Sequence, residues 1–104
     1  MPEERYSEAA RIVGQRIRSV RLKRQMSQEE VAEVSEMHVT NYGKIERGKA
    51  NPSLTTLVRI ANALAADPGE FVKGIQKESV PERKRQLTPA DIIHGREKRD
   101  RRLR

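Results

Sequence analysis

The residues best suited to bind a charged ligand lie between His38 and Arg47. At helical spacing, one side of this segment carries small, polar and basic residues and no acidic one. Its members are Val39, Thr40, Gly43, Lys44 and Arg47. A slim helix face of this kind fits a nucleic-acid groove, although an exposed Thr and Lys face is more often simply solvated. The neighbouring elements decide between these two interpretations.

Two short helices joined by a tight turn are predicted over residues 26–48. Ser27 is a natural N-cap, and Glu30 three residues later completes a capping box. The first helix, 28–35, has one apolar side, made by Val31, Ala32 and Val34. The second, from about His38 to Arg47, turns Tyr42 and Ile45 inward, together with Met37 from the turn. Gly48 ends it.

Three further helices complete the predicted core. Ser7 caps a first helix that runs to about Arg24, with Val13, Ile17 and Val20 as its buried stripe. Ser53 caps a fourth helix to about Ala65. Its apolar stripe comprises Leu54, Leu57, Ile60, Ala61 and Leu64. Asp67 and Pro68 start a short fifth helix through Phe71 and Val72.

Two charged residues fall on faces that should be buried. Arg21 lies one turn beyond Ile17, and Glu46 lies beside Ile45 and one turn after Tyr42. A lone charge at either place would be unfavourable. We therefore expect Arg21 and Glu46 to form a structural ion pair that ties the first helix to the end of the third.

Composition limits the class of protein. The 104 residues contain no Cys and two His, which excludes disulfides and predicts neither a metal site nor a cofactor. The net charge of +7 suits a polyanionic partner. Residues 76–104 hold 10 of the 22 basic residues and 5 of the 15 acidic ones, so most of the excess charge lies there. With no apolar span or signal peptide, a cytoplasmic, nucleoid-associated protein without a membrane partner is expected.

An enzyme has little support. Glu29, Glu30 and Glu33 lie on a solvated helix face. Neither His38 nor His94 has a Ser or Cys nucleophile arranged around it, and there is no Gly-rich phosphate loop. We expect no catalytic residues.

The segment SQEEVAEVSEMHVTNYGKIERGKANPSLTTLVRIANAL resembles the Cro-like, phage-repressor type of helix-turn-helix domain, the xenobiotic-response-element family. The likeness runs from about Ile12 to Val72 and rests on the combination SQEE, KIERG and NPSL. It implies an all-α, five-helix repressor-like domain. It also implies a sequence-specific regulator of transcription that binds double-stranded DNA, as a homodimer on a partly palindromic operator.

The resemblance also assigns roles to residues. The base-reading set is Val39, Thr40, Gly43 and Lys44, with His38 and Asn41 at its margin. Gln28 contacts a phosphate at the start of the second helix. Arg47, Lys49 and Asn51 contact the DNA backbone on the other side.

Four positions depart from the family pattern. Glu36 and Gln25 stand where Gly is common, so a positive φ there would carry strain. Tyr42 replaces a β-branched aliphatic residue, and its hydroxyl needs a partner. His38 replaces the usual Ser or Thr cap and should weaken the start of the third helix.

We divide the chain into a DNA-binding domain, 1–75, and a basic linker and tail, 76–104, with a short helix from 89. Phe71, Val72 and Ile75 are candidates for a dimer interface, or they close the core. The alternative function is a protein-interaction module or antitoxin. Its basic tail, residues 76–104, would dock an acidic protein partner.

Overall fold

The computed structural model describes residues 7–80, 89–90 and 92–96, and this part of the chain contains helices and no strand. Five α-helices and one 3-10 turn follow in order: α1 (Glu8–Lys23), α2 (Gln28–Val34), α3 (Val39–Glu46), α4 (Leu54–Ala63), α5 (Gly69–Val72) and the turn Lys77–Ser79. Residues 89–90 and 92–96 are also helical. The predicted all-α fold is confirmed. Of the predicted basic linker and tail, 76–104, residues 81–88, 91 and 97–104 lie outside the described residues.

The helices begin where the sequence places caps. Ser7 and Ser53 each accept a hydrogen bond from a backbone N–H three residues on, at 2.9 and 3.1 Å. Ser27 and Glu30 form the predicted capping box, with distances of 3.0 and 2.8 Å. Asp67 Oδ1 accepts from the backbone N–H of Gly69 at 2.9 Å. These bonds satisfy backbone donors that a helix start leaves unpaired.

One hydrophobic core lies where the five helices meet, and its buried members are Val13, Ile17, Val31, Ala32, Tyr42, Ile45, Ile60, Ala61, Leu64 and Phe71. Two predicted core residues are wrong: Val34 is 59% exposed and Leu54 is 77% exposed. Val34 is the last residue of α2 and Leu54 is the first residue of α4, and at a helix end the apolar periodicity does not ensure that another helix covers the side chain. No helix in the described ranges is long and apolar enough to cross a membrane.

The three candidates for a dimer interface differ in burial. Phe71 is fully buried and Ile75 packs against the core, so these two close the domain. Val72 is 47% exposed and remains on the surface.

Arg16 of α1 and Arg24, the residue that caps its C-terminus, bind the ends of later helices. Arg24 donates from Nε to the Leu64 carbonyl at 2.9 Å and from Nη2 to the Ala65 carbonyl at 3.1 Å. Arg16 Nη1 donates to the Lys73 carbonyl at 2.6 Å. Each guanidinium satisfies carbonyl oxygens that a helix end leaves unpaired. Neither contact could be predicted from the sequence, because nothing local marks a surface arginine as a cap for a distant helix.

Three non-glycine residues follow helix ends with positive φ: Gln25 at 57°, Glu36 at 58° and Ala65 at 52°. Gln25 and Glu36 are the two positions where the resemblance suggested a positive φ. The positive φ of Ala65 was not predicted. Glu36 opens the turn between α2 and α3. The backbone there is left-handed, a conformation that L residues adopt at a cost.

Candidate nucleic-acid interface

The candidate interface is built on α3, which is fixed at both ends. His38 Nδ1 accepts a hydrogen bond from the backbone N–H of Thr40 at 3.1 Å, so the histidine caps the helix in place of Ser or Thr. At the other end Gly48 has φ 73°. The helix itself is Val39–Glu46, one residue shorter at each end than predicted, because His38 and Arg47 are its caps.

Two glycines allow α1 to lie directly against the end of α3. A Cβ on Gly14 would stand 2.3 Å from the Ile45 carbonyl oxygen and 2.6 Å from that of Glu46. A Cβ on Gly48 would stand 2.7 Å from the Cα of Arg11. Backbone atoms cannot move aside as side chains do, so any larger residue at either glycine would push the helices apart. This close approach of α1 to the end of α3 could not be predicted from the sequence.

Glu46 is the centre of a buried polar network beneath α3. Arg21 donates to both carboxylate oxygens, from Nε to Oε2 at 2.6 Å and from Nη2 to Oε1 at 3.1 Å. The Tyr42 hydroxyl donates to Oε2, and Gln28 Nε2 donates to Oε1 at 3.0 Å. The structure thus contains the ion pair between the two residues predicted to form one. It also gives the Tyr42 hydroxyl the partner that it needs.

The network shifts the ionisation of its members. Burial alone would raise the pKa of Glu46, but hydrogen bonds from Arg21, Tyr42 and Gln28 outweigh it and lower that pKa. Burial, and then the hydrogen bond to Glu46, raise the pKa of Tyr42. The hydrogen bond to Glu46 raises the pKa of Arg21. At neutral pH the network therefore contains one carboxylate, one guanidinium and a neutral phenol.

The outer face of α3 carries most of the predicted base-reading residues at the surface. Thr40, Asn41 and Lys44 are exposed, and so is the capping residue His38. Val39 is half-buried and packs against the core. Gly43, by contrast, is buried. The solvent-facing part of the predicted set is therefore polar, and Lys44 is its cation.

The residues expected to bind phosphate lie on two sides of α3. Gln28 is half-buried at the start of α2, with its amide nitrogen bonded to Glu46. Beyond α3, Lys49 is half-buried and Asn51 is exposed. A groove of about 590 Å³ runs beside Asn51, and Glu36, Asn41, Lys44 and Arg59 are among the other residues that line it. Arg59, from α4, was not among the predicted contacts.

The helix-turn-helix family matches residues 17–71, more than half of the chain, including all of α2 and α3. The chain belongs to this family. In sequence it is 37% identical to the Control protein C.SmaI of Serratia marcescens over 59 residues, which are 57% of this chain and 70% of that protein. It is 42% identical over 60 residues to the Immunity repressor protein of Bacillus phage phi105, covering 58% of this chain and 42% of the repressor.

A solved structure extends the likeness to three dimensions. The restriction-modification controller protein C.AhdI from Aeromonas hydrophila superposes on this helix-turn-helix chain with a TM-score of 0.58 at 35% identity. The match covers 60% of this chain and 94% of that one. The helix-turn-helix protein described here is a DNA-binding transcriptional regulator, which confirms the predicted function at that level.

Proposed function

We propose that this regulator places α3 in the major groove of an operator and reads base edges mainly with Thr40, Asn41 and Lys44. The observation that carries the proposal is the outer face of α3, where these three side chains are exposed together and no acidic residue accompanies them. An α-helix fits the major groove of B-form DNA, and base-edge contacts made there carry sequence information.

Each exposed side chain has a matching base chemistry. The Lys44 ammonium suits the O6 and N7 acceptors of guanine. The Thr40 methyl group suits the thymine methyl, and its hydroxyl can donate or accept. Asn41, on the side of α3 nearer the groove, suits adenine. Val39 is half-buried, so it offers only an edge of apolar surface.

The groove beside α3 is the proposed path of one DNA strand. Asn51 and Arg59 border it from the far side, and Lys49 precedes it in the loop between α3 and α4. Contacts to phosphate from these residues would set the register of α3 without reading sequence. Arg59 adds a cation to the backbone contacts that the sequence predicted.

A dimer on a two-fold operator follows from the size of the reading face. One helix of eight residues reaches only a few base pairs, too few for high specificity. Two copies related by a two-fold axis would read two half-sites about one helical turn apart. We place the DNA-binding unit in residues 1–75 and treat residues 76–104 as an accessory.

The test is selection of bound sites from random duplex DNA with the full chain at physiological salt. We expect an enriched motif with two-fold symmetry. The variant Lys44→Ala should relax the base preference at one position of each half-site. The matched control is Lys73→Ala, which removes the same charge after α5, a helix that packs on α1. If no motif is enriched, or if both variants select the same altered motif, the proposal is wrong.

A further inference from the structure

Glu36 places a carboxylate in the groove beside α3. Its side chain is exposed and lines this groove together with Asn41, Lys44 and Arg59. Of the described residues that line the groove, Glu36 is the acidic one, whereas Lys44 and Arg59 are basic. A negative charge on the proposed path of a DNA strand opposes the binding of phosphate, so its presence there requires an explanation.

The backbone at the end of α2 fixes the position of Glu36. The Glu36 N–H donates to the Glu33 carbonyl at 3.1 Å, and the Met37 N–H donates to the Ala32 carbonyl at 2.9 Å. Together with the positive φ of Glu36, these two bonds form a Schellman motif, which closes the helix. The motif holds the Cα–Cβ bond of Glu36 in one direction, and the side chain that follows lines the groove.

The Glu36 carboxylate has no partner in the part of the chain that the structure describes. It forms no ion pair there and accepts no hydrogen bond. Lys44 and Arg59 line the same groove but do not pair with it. The other exposed cation at the end of α3, Arg47, lies back over Gly43, where a Cβ would stand 2.9 Å from its Nη1. Both oxygens of the carboxylate are therefore available to a ligand in the groove.

The chemistry of a carboxylate limits what it can bind on DNA. A carboxylate accepts hydrogen bonds and donates none. On the base edges of the major groove, the donors are the exocyclic amino groups, N4 of cytosine and N6 of adenine, and the other polar groups are acceptors. Phosphate oxygens are also acceptors and carry negative charge. An exocyclic amino group is therefore the polar group of duplex DNA that matches Glu36.

We infer that Glu36 is a specificity-determining residue for operator binding. Its carboxylate accepts a hydrogen bond from the exocyclic amino group of one base in each half-site, and it repels phosphate in every other register. A specific binding surface often combines an attractive and a repulsive element in this way. The inference rests on the proposed function, since it requires α3 to lie in the major groove of an operator.

Two variants of the full chain test the inference. Glu36→Gln keeps an acceptor, adds a donor and removes the charge, whereas Glu36→Ala removes both the acceptor and the charge. Both should tighten binding to a duplex without the operator about threefold, because charge interactions at an exposed site are of this size. In selection from random duplex DNA, Glu36→Ala should lose the preference at one base pair of each half-site.

Glu36→Gln identifies which base supplies the amino group. An amide side chain matches the N6 and N7 groups of adenine, so this variant should select adenine at the position that Glu36→Ala no longer reads. A change there from cytosine to adenine identifies cytosine as the partner of the unaltered protein. Adenine in both motifs identifies adenine.

The matched control is Glu33→Gln, which removes the same charge from an exposed position of α2 that is not among the residues lining the groove. It should leave the selected motif unchanged, together with the Kd for the operator and for other DNA. Neither substitution at Glu36 removes the Cβ, so thermal unfolding should change little. The inference is wrong if Glu36→Ala keeps the full base preference, if it does not tighten binding to other DNA, or if Glu33→Gln has the same effects. The absence of any motif for the unaltered protein would instead refute the proposed function.

Discussion

Arg21 and Glu46 form a buried ion pair on the inner side of α3, in which the Arg21 guanidinium donates to both carboxylate oxygens of Glu46, at 2.6 and 3.1 Å. The pair joins α1 to the last residue of α3. Gly14 and Gly48 allow the close approach of α1 to this same end of α3. Glu46 bonds Gln28 as well, so the same carboxylate aligns α2 with α3. The two helices of the motif are therefore held at a fixed angle by one buried anion.

Removal of either partner should destabilise the domain strongly. Arg21→Ala leaves the carboxylate of Glu46 buried without its counter-ion, and such a change typically costs about 3–5 kcal/mol. The double variant Arg21→Met with Glu46→Leu should lose much less, because no charge is then stranded. Urea unfolding followed by circular dichroism measures both. As a control, Glu8→Ala breaks the exposed pair with Arg11 and should change stability little. Equal losses in the single and double variants would contradict this account.

Stability should depend on pH through Glu46. Its folded pKa lies below the ordinary value of 4.5, so the unfolded chain takes up the proton first as pH falls. The stabilisation is complete above pH 4.5 and is lost as pH falls through the folded pKa. In urea unfolding between pH 7 and pH 3, the gap between the unaltered protein and Glu46→Gln should close below pH 4.5. Parallel curves would show that this carboxylate does not supply the acid sensitivity. Glu33→Gln, at an exposed site of α2, should follow the unaltered protein.

The sequence predicts what depends on neighbours along the chain. The capping box of Ser27 and Glu30 is complete in the structure because its bonds span three residues. Core positions within a helix were also predictable, since Ile17, Tyr42 and Ile60 each lie on the apolar stripe of their own helix, and all three are fully buried. Where a stripe reaches the end of a helix, as at Leu54, periodicity cannot tell whether a neighbouring helix extends far enough to cover the residue.

What the sequence could not predict depends on how distant segments approach. In the sequence Gly14 is an ordinary glycine within a helix. Only the structure shows that the carbonyl oxygen of Ile45 lies directly against it. Gln28 could be assigned to phosphate by resemblance, but its bond to Glu46 exists only once α2 crosses α3. Gly43 was placed among the base-reading residues because of its face, and the return of the Arg47 side chain over it is a rotamer choice that sequence does not specify.

Strain at Glu36 should be removable. Glu36 lies in the turn between α2 and α3 and has a φ of 58°. Glycine adopts this conformation without the clash of a Cβ. Glu36→Gly should raise the free energy of unfolding by about 1 kcal/mol, whereas Glu36→Ala should raise it little because the Cβ remains. Thermal and urea unfolding measure the difference. The matched control is Glu33→Gly within α2, which should lower stability by about 1 kcal/mol. A loss on Glu36→Gly would mean that the side chain makes a contact worth more than the strain.

Lys44 and Lys49 should separate base reading from backbone contact. Lys44 projects from the exposed face of α3, so Lys44→Ala should cost about 1–3 kcal/mol for the selected operator and relax preference at a single base pair. Lys49 follows α3 in the loop, so Lys49→Ala should weaken every sequence alike and lower the salt slope by about one. Competition binding with operators mutated at each position, repeated at several salt concentrations, distinguishes the two effects. Since both variants remove one positive charge, a difference between them reflects position and not net charge. The same uniform loss in both would mean that Lys44 contacts the backbone and that another face of α3 enters the groove.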